Sequence, residues 1–420
     1  MEPARCAEPG FSPLDKELEL LPGSLTPSQH EHLVHLGSWM SFARAGQMMG
    51  RLLGVQVSEP TVRRLTERAG EWVEAVQEEA SRQASQGREE GDEASRPDQK
   101  LVVSGDGAFV PLLGGQWAEV KMLAIGEVKP ASARAQHRGQ QVEVAKLSYV
   151  ARLASAQSFG QFVLGEMSRR GIPLAQEVAA VSDGAEWLQG LFELQCPQAL
   201  RILDFPHAAQ RLGSIATEAA QVGHPLPADW LEKRCHLLKT EGPEPVLATL
   251  AKLPAPVLAL PQVQEDQAYL ARRVELMQYP TYAQLGWPLG SGMVESANKL
   301  VMQARLKGSG MHWEPSHVNP LLALRTAICN DRWDESWQAA CAIWHRQQTQ
   351  RQQQRALPRL LSLAFALAWL AIRLRPAPPP PPKPPLPPAP PAMIAGTSRP
   401  SPHHPWKRAV VSCPRGPAKK

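Results

Sequence analysis

The sequence predicts an α/β protein: a mixed sheet covered by helices, with a helical region before it and a helical insertion inside it. Three observations predict this. From Leu101 onward, three apolar runs of strand length follow one another and then give way to alternating helix and strand. Residues 25 to 80 carry helical periodicity only. Residues 211 to 285 hold no convincing strand.

In "SFARAGQMMGRLLGVQVSEPTVRRLTERAGEWV", Phe42, Ala45, Met49 and Leu52 recur at helical spacing, and the pattern breaks at Gly54. Ser58 is placed to cap a second helix, with Pro60 tolerated in its first turn. That helix is expected to bury Val62, Leu65, Ala69 and Trp72 and to expose Arg63, Arg64 and Arg68. Two helices joined at a glycine turn, the second with an arginine face, suit a helix-turn-helix. They equally suit a helical hairpin with a solvated basic face. Residues 81 to 100 are nearly free of apolar side chains and read as a linker.

The first two strands, "LVVSGDGAFVPL" and "GGQWAEVKMLAIGEV", form a hairpin through Leu113-Gly114-Gly115. "KLSYVARLA" is the third strand, and "SFGQFVLGEMSRRG" a helix ending at Gly171. "EVAAVSDGAEWL" and "LRILDFPHA" are strands four and five, each running into a helix. "GSGMVESANKLVMQARLKG" is a helix whose start is set by Gly290-Ser291-Gly292. The domain plan is a helical region over 1–80, a linker, a core over 101–210, the insertion over 211–285 and a helical end of the core over 286–345. From 346 a Gln/Arg-rich and then Pro-rich tail is expected to be disordered, apart from an apolar stretch around 360–370 that should dock as a helix.

Of the 45 lysines and arginines, nine lie from Arg373 onward, where there is no acidic residue. The remainder, 36 basic against 40 acidic residues, is close to neutral. A basic tail suits a polyanion partner. Six cysteines without a CxxC pair suit reduced thiols, no charged-then-apolar leader is visible, and the longest apolar run is too short to span a bilayer. The expectation is a cytoplasmic protein with no membrane partner. No phosphate-binding GxxxxGK[ST] loop, complete His/Cys zinc spacing or activated serine or cysteine is present.

Three carboxylates stand beside glycine or at the edge of an apolar segment. Asp106 lies inside the first strand, Asp183 ends the fourth, and Glu295 sits in the first turn of a late helix. If strands one and four are neighbours, Asp106 and Asp183 come together. Convergent carboxylates repel unless a cation lies between them, and hard oxygen ligands suit Mg²⁺ or Mn²⁺. Two such ions about 3.5–4 Å apart clamp the attacking and leaving oxygens of phosphoryl transfer. The plainer alternatives are Asx turns at the two aspartates and an ion pair from Glu295 to Lys299. Asp204 and His207, at the end of strand five, suit either an orienting pair or a helix cap with a satisfied histidine. Lys299, Arg305 and Lys307 suit either phosphate contacts or a solvated helix face.

Together, "SGDGAFVPLLGGQWAEVKMLAIGEV", "VSDGAEWLQG", "RILDFPHAAQ" and "WPLGSGMVESANKLVMQARLKGSGMHW", in this order, resemble the insertion-sequence transposases of the ISKra type. These are DDE transposases with an RNase H-like catalytic core, related to Mutator-like elements. The resemblance runs from "GFSPLDKELELLPGSLT" to "CNDRWDESW". It implies that Asp106, Asp183 and Glu295 are the catalytic, metal-holding acids. It implies that Asp204-x-x-His207 is the accompanying signature and that 211–285 is the all-helical insertion. It also implies a terminal-repeat-binding N-terminal region, double-stranded DNA as partner, action as a homo-oligomer on DNA, and residence at the bacterial nucleoid. Two features depart from the family: only Cys6 stands where a CxxC-like element is usual, and the polyproline run is unusual. The rivals are a catalytically inactive or domesticated relative acting as a DNA-binding protein, and a two-carboxylate glycosidase.

Overall fold

The computed structural model describes residues 25–87, 99–133 and 142–373, and Pro385. The chain divides into two compact units, one up to Gln353 and one from Gln354 onward.

The first unit is built on a five-stranded mixed sheet: β1 (Lys100–Pro111), β2 (Trp117–Pro130), β3 (Val142–Leu153), β4 (Glu177–Ser182) and β5 (Leu200–Leu203). The strand order is β3-β2-β1-β4-β5. The hairpin partners β1–β2 and β2–β3 are antiparallel, while β1–β4 and β4–β5 are parallel, as crossover connections through helices require. The expected neighbourhood of the first and fourth strands is thus present. Ser104 pairs with Val181 and Ser182 with Leu203. Carrying those registers forward sets Asp106, Asp183 and Asp204 in one row where the parallel pairing stops: Asp106 inside β1 beyond its last partner in β4, Asp183 and Asp204 one residue past the ends of β4 and β5.

Alternation along the strands gives the sheet two apolar faces. Leu101, Val103, Leu123, Ile125, Val178 and Ala180 pack with α4 (Ala156–Phe162), α5 (Leu164–Arg169) and α6 (Glu186–Gln195). Val102, Met122, Ala124, Ala179, Val181 and Ile202 join the larger core with the remaining helices. The sequence reads α4 and α5 as one helix; the chain breaks between them at Val163.

Before the sheet come α1 (Pro27–Trp39), α2 (Phe42–Leu53) and α3 (Glu59–Ser85). Gly54 closes α2 in the left-handed conformation, and Ser58, in extended geometry, precedes α3. Val62, Leu65, Ala69 and Trp72 are buried as the spacing predicts, whereas Leu52 is exposed. The region is packed into the body rather than set apart. At Gly70 an added Cβ would lie 2.5 Å from the Pro320 carbonyl, so α3 and α14 (Pro315–Cys329) approach at backbone distance. The helix also runs through Ser85, past the predicted boundary at 80; residues 88–98 of the predicted linker lie outside the described residues.

After β5 come α7 (Phe205–Gln221), α8 (Trp230–Thr240), α9 (Pro243–Leu250), α10 (Ala255–Leu258), α11 (Pro261–Ala271) and α12 (Tyr279–Gln284). Among the described residues the insertion is helical throughout. Next, α13 (Gly292–Ala297) passes through a π-helical stretch, Asn298–Gln303, into a last turn, Ala304–Leu306. Such π stretches inside helices are uncommon and often mark functional positions.

The last helix, α15 (Trp333–Arg373), extends well into the predicted tail. Its segment near 360–370 is helical, as the sequence predicts, and belongs to the unit from Gln354 onward. The polyproline run and basic end lie outside the described residues, Pro385 excepted. No helix among the described residues is long and apolar enough to cross a membrane.

Candidate active site

β1 carries Asp106 because the strand outlasts its parallel pairing with β4 and continues along β2 to Pro111. The glycine before it answers a packing demand. A Cβ at Gly105 would fall 2.2 Å from the Leu188 side chain of α6. The Asp106 carboxylate accepts from the Gly107 amide at 2.8 Å and from Asn298 Nδ2 at 2.5 Å. Burial pushes its pKa up, and the charge of Asp183 adds to the rise; the Gly107 amide, His207 and Asn298 oppose it.

Asp183 closes an Asx turn, accepting from the Ala185 amide at 2.8 Å through Oδ1. That plainer reading of the residue is therefore present, and it leaves Oδ2 without a hydrogen bond among the described residues. The insertion secures the turn from behind. Tyr269 donates its hydroxyl to the Asp183 carbonyl, and Arg273 Nη2 donates to the Gly184 carbonyl at 2.9 Å. Gly184 has φ +80°, and a Cβ there would sit 2.5 Å from Arg273 Nε. Gly184→Ala should cost at least about 1 kcal/mol through the left-handed backbone alone. It should also displace Arg273, so thermal unfolding is expected to come at a lower temperature.

Asp204 is fully buried and fully used. It accepts from the Ser291 amide at 2.8 Å, the Ser291 hydroxyl at 2.8 Å and His207 Nδ1 at 2.6 Å. It thereby ties β5 and α7 to the start of α13. The hydrogen bond from Asp204 raises the His207 pKa; desolvation opposes this, and the charges of Asp204, Asp183 and Asp106 reinforce it. The last two contributions place His207 in the field of the aspartate row.

Glu295 behaves differently from the expectation. It lies in the first turn of α13 but is exposed, and its carboxylate makes no hydrogen bond or ion pair among the described residues. Asn298, one turn later and 5% exposed, takes the contact with Asp106 instead, and its own Oδ1 is buried without a partner. Among the described residues no three His, Cys, Asp or Glu side chains are grouped closely enough to hold a metal ion. A three-carboxylate cluster is thus not assembled. A two-carboxylate arrangement still fits Mg²⁺, which keeps several waters and takes one or two carboxylates plus substrate phosphates. The charge of Asp183 helps raise the Asp106 pKa, and Asp183 retains an open oxygen.

The predicted DNA contacts divide. Arg305 must be withdrawn: it is 1% exposed, donates from Nε to the Gly37 carbonyl at 2.9 Å, and lies over the Phe42 and Trp313 rings. Burial lowers its pKa to about 10. The reason is its place on the helix: it falls at ordinary helical spacing on the face that Val294, Asn298 and Val301 bury, and there it meets α1 and α2. Lys299 and Lys307 are exposed. Arg63 is half-exposed but engaged by Glu67 at 2.9 Å; Arg64 is exposed and Arg68 partly so.

Sequence reasoning missed Tyr269, Arg273, Arg211 and Asn298. With Asp183 and His207, the first three line a cavity of about 430 Å³, whose wall also includes Glu186, Gln210 and Ser214. Tyr269 and Arg273 are hidden by their distance from the acids in the chain; Arg211, one turn after His207, and Asn298, one turn after Glu295, carry no signal beyond that place. Comparisons of the chain with known protein families and with curated proteins found no match.

Proposed function

We propose that this chain is a DNA transposase of the DDE type, with an RNase H-like core, that cuts and joins DNA at the ends of an insertion sequence. The observation that carries this reading is the row of Asp106, Asp183 and Asp204 at the edge where the parallel pairing of β1, β4 and β5 stops, the side on which open α/β sheets bind ligands. Beside that row stand His207 and an arginine-lined cavity. The motifs resembling ISKra-type transposases fall on the same row.

Asp106 and Asp183 are the residues that would hold Mg²⁺ or Mn²⁺. When bound, the cation supplies charge stabilisation and activates the attacking oxygen in line with the leaving one. Asp106 contributes a carboxylate whose pKa is raised by burial and by the neighbouring charge of Asp183. Asp204 holds His207 through Nδ1, leaving Nε2 to exchange a proton or donate to a phosphate oxygen. Glu295 joins in this reading only after α13 shifts toward the row. Arg63, Arg64 and Arg68, with Lys299 and Lys307, supply the basic surface for duplex DNA, and homo-oligomer assembly on the two element ends belongs to the same proposal.

A non-catalytic DNA-binding protein is the second reading, favoured by one observation: Asn298 rather than Glu295 contacts Asp106. The deciding experiment incubates the full chain with duplexes carrying the DNA that flanks its gene, including any inverted repeats found there, with Mg²⁺ or with chelator. Metal-dependent cleavage at the repeat end supports the transposase. Repeat binding without cleavage supports the second reading, and neither binding nor cleavage discards both.

A further inference from the structure

The cavity beside Asp183 has a wall that the chemistry at the aspartates does not require. His207, Gln210, Arg211 and Ser214 all lie on α7 at spacings of three, one and three residues. That is the spacing of a single helix face, so the cavity is lined by a continuous polar stripe. The insertion adds Tyr269 and Arg273 to the lining. On the apolar side of the same helix, Ala208, Leu212, Ile215 and Ala219 are buried. The polar stripe is therefore held in place by core packing and is not a mobile surface.

Within this wall Arg211 is unusually well prepared. Its Nη1 donates at 2.8 Å to Asp266, a fully buried carboxylate, and its guanidinium carbon lies 4.5 Å from the centre of the Tyr269 ring. Arg273 packs on the same ring at 3.8 Å, but both its Nη atoms donate to main-chain carbonyls, those of Tyr269 and Gly184. Arg211 keeps Nε and Nη2 without partners among the described residues. A planar guanidinium fixed by a buried carboxylate and a ring, with donors left over, is suited to a tetrahedral anion. Asp183 and Glu186 on the facing rim work against an anion there. The favourable position is accordingly the α7 side, near Arg211, Gln210 and Ser214. The cavity accommodates part of one strand and is too small for a duplex.

We propose that this α7 face is a strand-backbone subsite, in which Arg211, assisted by Gln210 and Ser214, holds a DNA phosphodiester adjacent to the one presented to Asp106 and Asp183. The inference rests on the nucleic-acid reading above and adds a residue-level position for the strand. Arg211 acts as a positioning residue: it sets where the strand lies and takes no part in bond making.

The test uses the full chain and a duplex containing the cleavable end. In a matching series, each phosphate flanking the cut is replaced in turn by an uncharged methylphosphonate. For the wild type, one position in the series should weaken binding about tenfold, the scale of one charge-assisted contact. Arg211→Gln should weaken binding of the unmodified duplex similarly and reduce the slope of log affinity against log salt by about one unit. At the sensitive position the two changes should not add, as expected for partners in one interaction. Cleavage rate at saturating DNA should change by less than about threefold, and Arg211→Lys should recover part of the affinity.

Arg211→Gln leaves Asp266 buried and unpaired, so it is repeated with Asp266→Asn, which removes that charge, and thermal unfolding is followed for each variant. Unchanged affinity and salt slope in both variants, or additive losses at every phosphate, overturn the subsite while leaving the functional reading intact. A wild-type chain that binds no duplex overturns the functional reading, and the subsite with it.

Discussion

Under the proposed transposase reading, Asp183→Asn is expected to abolish metal-dependent DNA cleavage, and Asp106→Asn to do the same, while both proteins stay folded. Loss of an outer hydrogen-bonding partner at a metal site typically costs 10–100-fold, so removing a carboxylate charge from the pair should cost more, about 1,000-fold. The fold should tolerate the change because asparagine keeps an oxygen for the Gly107 or Ala185 amide. Stability gives an independent readout at Asp106. Burial first, and Asp183 second, raise its pKa above 3.8 in the folded protein. A carboxyl that holds its proton more tightly when folded stabilises at low pH. That contribution is lost as pH rises from the unfolded value through the folded one. At neutral pH the ionised Asp106 is therefore a liability in the metal-free protein, and Asp106→Asn should unfold at an equal or higher temperature than wild type. Activity lost with stability retained or gained is the signature of a functional carboxylate. If Asp106→Asn and Asp183→Asn both cleave at wild-type rates, the aspartate row has no catalytic role.

The architecture was legible where periodicity and topology rules act together. Three consecutive strands followed by β–α alternation leave few arrangements, and a right-handed crossover from a hairpin places strand four beside strand one. Asp106 and Asp183 could thus be paired from the sequence, because strand register carries a residue to a definite place. Helices carry residues less surely. Asn298–Gln303 is π-helical, and no periodicity in "ANKLVMQARLKG" announces the extra residue in the turn. Arg305 falls on the face that Val294, Asn298 and Val301 bury at ordinary spacing, and its charge alone suggests an exposed contact. Arg325, also buried, donates to the Val301 carbonyl at 3.3 Å and to Leu300. The π stretch is therefore supported from α14, a residue pair the sequence gives no means to match. The insertion was recognisable as helical, but its contribution to the site was not. Tyr269 and Arg273 reach the Asp183–Gly184 turn from more than 80 residues away in sequence. Contacts of that separation are set by tertiary packing, which one sequence does not display.

Asp204→Ala should be the most destabilising single substitution at the site. Asp204 is fully buried, and its carboxylate serves three donors: the Ser291 amide, the Ser291 hydroxyl and His207 Nδ1. Alanine removes the acceptor and leaves the amide and hydroxyl of a buried Ser291 without it, a cost of about 3 kcal/mol or more. For a unit of this size the unfolding temperature should fall by roughly 5–10 °C. Asp204→Asn, which keeps one acceptor oxygen, should fall less. The effect should also depend on pH in a definite sense. His207 has its pKa raised above 6.5, first by the hydrogen bond to Asp204. Its pairing therefore stabilises fully below the unfolded value and fades as pH rises through the folded one. The gap in unfolding temperature between wild type and Asp204→Ala should accordingly be widest at mildly acidic pH and narrow toward alkaline pH, with the Ser291 contribution persisting throughout. Thermal unfolding of both proteins across that range measures it. A gap that is constant with pH would show that His207 contributes nothing through its charge, and that Asp204 serves only to anchor α13.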